Sequence, residues 1–184
     1  RDYDVTGVQT CALPISASLL GFWCFDDEND PFADASGNGN HITNALGPGG
    51  PIYGSTLGFG GSGAYGFTGD GDRLIVPIEV NTAALPQMTW GAWVRTDSLV
   101  PGLRKVMGHD NGGWDRTIGL DIRNESFRYT SFTGFQRPIE GSPGPVSTND
   151  WTFLAATYDQ DDQSVTVSVD LDVSATNEPL VAAT

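Results

Sequence analysis

Basic residues are scarce in this chain: 9 Lys and Arg stand against 23 Asp and Glu, a formal net charge of −14. Binding to nucleic acid depends on cationic side chains that neutralise phosphates, so no nucleic-acid partner is expected. Anionic membrane surfaces are disfavoured for the same reason. Long apolar runs are missing too; no stretch of about 18 such residues occurs, so membrane insertion through a helix is excluded. Two cysteines, Cys11 and Cys24, are too few for a disulfide framework. Cys24 lies within Gly21-Phe22-Trp23-Cys24-Phe25 and reads as a small buried hydrophobe. The two histidines, His41 and His109, sit beside Asx residues in loops, and no Gly-x-Ser-x-Gly elbow accompanies them. The Gly-rich residues 58–63 lack the following helix and lysine of a phosphate cradle. Helical periodicity is also absent, with no window of about 11 residues placing apolar side chains at i, i+3, i+4 and i+7.

What the chain has instead is turn chemistry and alternation. Gly (24) and Pro (11) punctuate short runs in which apolar and polar residues alternate. Strands are predicted at 19–25, 41–46, 64–68, 73–78, 88–95, 104–108, 117–123, 126–132, 150–158 and 164–171. The last is the cleanest, with Val165, Val167, Val169 and Leu171 on one face and Thr166, Ser168 and Asp170 on the other. Residues 159–163 form a hairpin turn before it, and 80–85 suit one helical turn. In 88–95 aromatics occupy both faces, so this strand is expected to be central and covered on both sides, with Trp23, Trp90, Trp93 and Trp151 in the core. The fold class is all-β, a two-sheet antiparallel β-sandwich with no internal repeat. Residues 17–184 make one domain, expected to be incomplete at its C-terminal edge, because nothing after Asp172 reads as a closing strand. Residues 8–15, Val-Gln-Thr-Cys-Ala-Leu-Pro-Ile, read as the translation of a sequencing adapter, so 1–16 are expected to be non-native.

Chemistry-bearing residues concentrate in loops. In residues 34–40, Gly37 and Gly39 let the backbone turn its carbonyls inward, and Asp34, Asn38 and Asn40 offer side-chain oxygens to a calcium ion. Asp26, Asp27 and Glu28 lie close enough in sequence to complete such a site. The alternative is an Asx-rich turn that caps its own backbone without metal. Trp114 and Phe135, each in a polar loop, suit stacking against sugar rings; packing as a lid over one end of the sandwich is the alternative. A catalytic pair of carboxylates is not in view. In residues 120–125 Leu120 replaces the needed acid, and Glu125 falls at odd spacing from any catalytic partner, so no enzyme is expected.

Several segments, in order, resemble the laminin G-like, concanavalin A-like jelly-roll family. They are Leu20-Gly21-Phe22-Trp23-Cys24-Phe25-Asp26, Asp34-Ala35-Ser36-Gly37-Asn38-Gly39-Asn40-His41, and residues 66–77. A further pair is Thr89-Trp90-Gly91-Ala92-Trp93-Val94-Arg95 and residues 150–159. The resemblance spans about residues 19–172 and implies an extracellular or cell-surface, non-catalytic recognition module of a kind common in bacterial proteins. It implies a glycan or an extracellular protein as partner, and a structural calcium held by Asp34, Asn38 and Asn40. The family's closing acidic strand and final strand have no counterpart here. An accessory module of a larger secreted hydrolase and an adhesive, protein-binding or structural domain are the other readings.

Overall fold

The computed structural model describes residues 18–69, 71–109, 116–123, 128–132, 139–140, 146–170 and 172–174. The chain divides into two compact units, Arg1–Ile78 and Glu79–Thr184. The first carries four short strands, β1 (Asn44–Leu46), β2 (Ile52–Gly54), β3 (Ala64–Gly66) and β4 (Arg73–Ile75). They pair antiparallel as β1–β4 and β2–β3, with a 3₁₀ turn at Phe59–Gly61. Tyr65 holds this unit together by touching Phe25, Tyr53 and Phe32 at centroid distances of 5.2, 5.3 and 6.1 Å.

The strand expected at 19–25 joins no ladder. Loop side chains take the place of a neighbouring strand. Asp34 accepts the Phe22 N–H, and Asn38 and Asn40 donate to the carbonyls of Leu19 and Leu20. The run ends at Phe25, whose φ of 60° no extended strand adopts. Cys24 is half-buried and disulfide-bonded, not the small buried hydrophobe expected.

The second unit is the sandwich. Its strands are β5 (Gln87–Val94), β6 (Leu103–Gly108), β7 (Thr117–Asp121), β8 (Arg128–Phe132), β9 (Ile139–Glu140), β10 (Thr152–Asp159), β11 (Ser164–Val169) and β12 (Asp172–Ser174). One sheet runs β12-β11-β10-β5 and the other β6-β7-β8-β9, each antiparallel throughout. The alternation of β10 and β11 decides which side faces in. Leu154, Ala156, Tyr158, Val165, Val167 and Val169 are buried against Ile118, Leu120, Ile122 and Tyr129 of the opposite sheet. Full burial of each such aliphatic side chain stabilises by about 1.5–3 kcal/mol. The hairpin at 159–163 closes as expected: Asp159 Oδ1 accepts the N–H groups of Asp161 and Asp162, and Gln163 takes φ 52°. The expected helical turn also forms, with Ala84 and Leu85 both donating to the Asn81 carbonyl. β2, β9 and β12 are additions to the expected strands, each too short to show alternation; β12 extends the sheet beyond β11, where no further strand was expected.

A buried Tyr158 hydroxyl links the two layers. It lies 2.8 Å from Ser131 Oγ, accepts the Trp90 indole N–H at 3.2 Å and donates to the Thr117 carbonyl. Burial pushes its pKa up to about 12, against the opposing pull of its hydrogen bonds, so it stays a neutral donor. Beneath it, Arg116 is 4% exposed, donates to the carbonyls of Val80, Leu85 and Pro86, and lies over the Tyr158 ring.

The expectations for the tryptophans are corrected, Trp90 excepted. Trp90 packs against the core as anticipated, but Trp93 is 45% exposed on the opposite face of β5, and β5 is not covered on both sides. Trp151 is half-buried with the Arg95 guanidinium 4.9 Å from its ring centroid, and is not a core residue. Trp23 is likewise half-buried; its indole lies over Gly21 and donates to the Asn40 carbonyl. Alternation shows which residues share a face but not whether that face is covered, and an aromatic side chain satisfies either case.

Candidate functional site

The exposed side of β5 and β10 is built by register. Odd-numbered residues of β5 point away from the core and meet odd-numbered residues of β10: Gln87 opposite Asp159, Thr89 opposite Thr157, Gly91 opposite Ala155, Trp93 opposite Phe153. One step beyond the ladder, Arg95 lies over Trp151. β11 continues the face through Ser168 beside Ala155 and Thr166 beside Thr157. At about 3.3 Å per residue, the strip from Arg95 to Gln87 is about 25 Å long.

Its chemistry changes along its length. At one end the Trp93 and Phe153 rings lie 5.4 Å apart with planes inclined by 57°. Gly91 makes this possible: a Cβ there would sit 2.9 Å from Phe153 Cζ, so the ring tip occupies the space a side chain would fill. In the middle, Gly91, Ala155 and Ser168 leave a low floor. At the far end polar groups take over. The Thr89 and Thr157 hydroxyls are 3.0 Å apart, and Gln87 Nε2 donates to both Asp159 Oδ2 and Asp161 Oδ2. Such a strip offers an apolar plane for the C–H faces of a ligand and hydrogen-bonding groups for its hydroxyls.

The residues predicted to hold calcium are brought together, but as a hydrogen-bond hub. Asp34 is 7% exposed; its Oδ1 accepts the N–H groups of Phe22 and Ser36, and its Oδ2 accepts the Ser36 hydroxyl and the Asn40 N–H, all at 2.8–2.9 Å. Burial alone raises the carboxyl pKa, and these four bonds outweigh it, holding the group down at about 2. Asn38 and Asn40 spend their amide N–H groups on the carbonyls of Leu19 and Leu20. His41 Nδ1 accepts the Asp34 N–H and closes the loop. Both carboxylate oxygens thus face donors that a cation would have to displace, and as arranged the residues do not fit a calcium cage. Among the described residues no three His, Cys, Asp or Glu side chains gather as a metal site. Trp114 and Phe135, the predicted stacking residues, lie outside the described residues.

Asp121 is 4% exposed and locked to its neighbour. Arg123 Nε donates to Oδ1 at 2.9 Å and a terminal guanidinium nitrogen donates to Oδ2 at 2.7 Å. The Arg123 side-chain bonds hold the Asp121 carboxyl below its ordinary range against the effect of burial. It is a fixed anion, the opposite of the proton-holding carboxyl that general acid catalysis needs.

Sequence reasoning placed the binding aromatics in loops and Trp93 in the core. The signal that marks the open face is Gly91 itself, a strand-interior glycine flanked by aromatics, which points to a ring lying over the backbone.

Comparison with known proteins agrees with the sandwich. The family model described as the concanavalin A-like lectin/glucanases superfamily, of laminin G-like type, matches residues 56–180. The chain belongs to this superfamily. Among solved structures it is similar to domain 4 of AbnA, a GH43 extracellular arabinanase from Geobacillus stearothermophilus, in complex with arabinotriose. That match has a TM-score of 0.61 and 18% identity, and covers 88% of this chain and 77% of that one. At this identity the likeness shows the jelly-roll fold. No curated protein matches. Among the described residues no helix is long and apolar enough to cross a membrane.

Proposed function

We propose that this superfamily member is a non-catalytic carbohydrate-binding module that works outside the cell, and that it holds glycan on the open face of β5 and β10. The observation that carries this reading is the Trp93–Phe153 pair, 5.4 Å apart, on a face where Trp93 is 45% exposed. Large aromatics are ordinarily buried, and leaving one in water on a regular strand sacrifices hydrophobic stabilisation that a ligand can recover. Two further points support it. The similar domain from the arabinanase is described in complex with an oligosaccharide, and it belongs to an extracellular enzyme. Asp121, the acid nearest to a glycosidase pattern, is tied up by Arg123, which favours recognition over hydrolysis. The partner is therefore glycan, in the setting of an accessory module to a secreted hydrolase.

The test is affinity electrophoresis of the full chain through gels containing soluble polysaccharides, with arabinan first and Trp93→Ala run alongside. Retardation that disappears in the variant, with the circular dichroism spectrum unchanged, supports the reading. Wild-type mobility unaffected by every polysaccharide sinks it.

A further inference from the structure

The shape and charge of the open face narrow the class of glycan. Building on the carbohydrate-binding reading above, we infer that the face selects single, uncharged glycan chains in solution, and rejects both crystalline polysaccharide surfaces and polyuronates. The first half of this rests on the inclination of the two rings. A sugar stacks with its C–H face parallel to an aromatic plane, so planes inclined by 57° engage sugar units inclined to one another by a similar angle. A crystal face presents its sugar rings in parallel, and only one of the two planes can meet it at a time. A free chain can turn between successive units and meet both. The inclination is fixed by the fold: Phe153 lies down over Gly91, while Trp93 stands directly opposite Phe153 across the ladder.

The second half rests on charge. Asp159 and Asp161 close the polar end of the strip, and Asp170 lies beside the aromatic end, its Oδ1 accepting the Phe153 N–H at 2.8 Å. Among the described residues Arg95 is the cation on this face, and its guanidinium lies over Trp151 at 4.9 Å. These three carboxylates against the one guanidinium among the described residues, within a chain of net charge −14, repel a polyanion along the strip. Hydroxyls suffer no such repulsion. They can accept from Arg95 and donate to Asp159 and Asp161, which suits a neutral polyol chain.

The discriminating experiment uses the full chain and three probes: soluble neutral polysaccharides (linear arabinan, xylan and glucomannan), polygalacturonate, and microcrystalline cellulose in a pull-down. At least one neutral polymer is expected to bind, with affinity falling tenfold or more in Trp93→Ala and only a few-fold in Trp93→Phe, which keeps an apolar plane. Polygalacturonate and cellulose are expected to leave the protein free, even at low salt. Trp93-dependent binding to cellulose or to polygalacturonate overturns this inference and leaves the carbohydrate reading standing. Failure to bind any probe overturns the carbohydrate reading and this inference with it, whereas binding that survives Trp93→Ala moves the glycan off the open face and overturns this inference alone. If Trp93→Ala fails to fold, the Trp93→Phe variant and the polymer comparison with wild type decide the matter.

Discussion

The two sheets of the sandwich use the same alternation to opposite ends. In Thr117–Asp121, the second strand of its sheet, every residue is buried, including the outward-facing Thr117 and Asp121. In Gln87–Val94, at the end of the other sheet, every second residue is exposed and one of those is a tryptophan. The two interior glycines mark the same difference. A Cβ on Gly119 would meet the Arg104 carbonyl oxygen at 2.2 Å, a backbone atom that cannot step aside. A Cβ on Gly91 would first meet the tip of a ring, Phe153 Cζ at 2.9 Å. One glycine keeps two strands close together, and the other makes room for an aromatic side chain. A closed face serves stability, while an open face that keeps apolar rings in water is where binding is to be sought.

The largest effect expected from breaking this contrast is in the core that both sheets share. Leu154 is 0% exposed, and Leu154→Ala should cost about 2–5 kcal/mol in urea unfolding, through lost burial and the cavity left behind. Trp93→Ala, on the open side, should cost under about 1 kcal/mol, as partly exposed side chains do. Equal costs for the two would mean that the β5 face is covered after all. Next comes Gly119→Ala. Its Cβ has to push β6 away from β7, and overpacking of this kind costs about 1–3 kcal/mol. Wild-type stability in this variant would show that β6 and β7 are not so closely apposed.

A smaller effect separates the Asp34 loop from the sandwich. Its carboxyl is held near 2, below the ordinary value of about 3.9, so its contribution is fully present above about pH 4 and is lost as pH falls through 2. A loss of about 1–2 kcal/mol from this group is expected across that window, and Asp34→Ala should remove that part of the pH dependence while Asp121 keeps its own. Because hydrogen-bond donors already meet both carboxylate oxygens, chelator should leave the melting temperature unchanged. A fall on adding chelator would show that the loop opens to take calcium.

The sandwich was legible in the sequence because β10 and β11 are long enough to alternate several times, and Val165, Val167 and Val169 leave one choice of inward face. The strand at 19–25 was misread for a physical reason. Its partners are the side chains of Asp34, Asn38 and Asn40, and an apolar pattern does not tell a ladder of backbone bonds from bonds to side chains. The Asp34 loop itself was seen as either a cation site or a self-capping turn. What favours the turn is the positions of four N–H and O–H donors, which spacing does not encode. The open face was missed because Trp93 is as apolar as a core residue, and its exposure depends on which strands end up beside β5.

The finest test of the contrast is Gly91→Ala. In stability the change should come to within about 1 kcal/mol of zero. Alanine lowers the entropy of the unfolded chain and suits a strand better than glycine. Against this, its Cβ crowds Phe153 Cζ at 2.9 Å and both Ala155 Cβ and the Leu154 carbonyl oxygen at 3.1 Å, so the ring must lift and its neighbours give by a few tenths of an ångström. Binding should respond more than stability does. Lifting Phe153 changes its inclination to Trp93 and raises the floor in the middle of the strip, so affinity for a neutral glycan should drop several-fold while the melting temperature barely moves. The opposite pattern, a destabilised protein that binds as well as wild type, would place Gly91 with Gly119 as a packing glycine and would move the binding surface elsewhere.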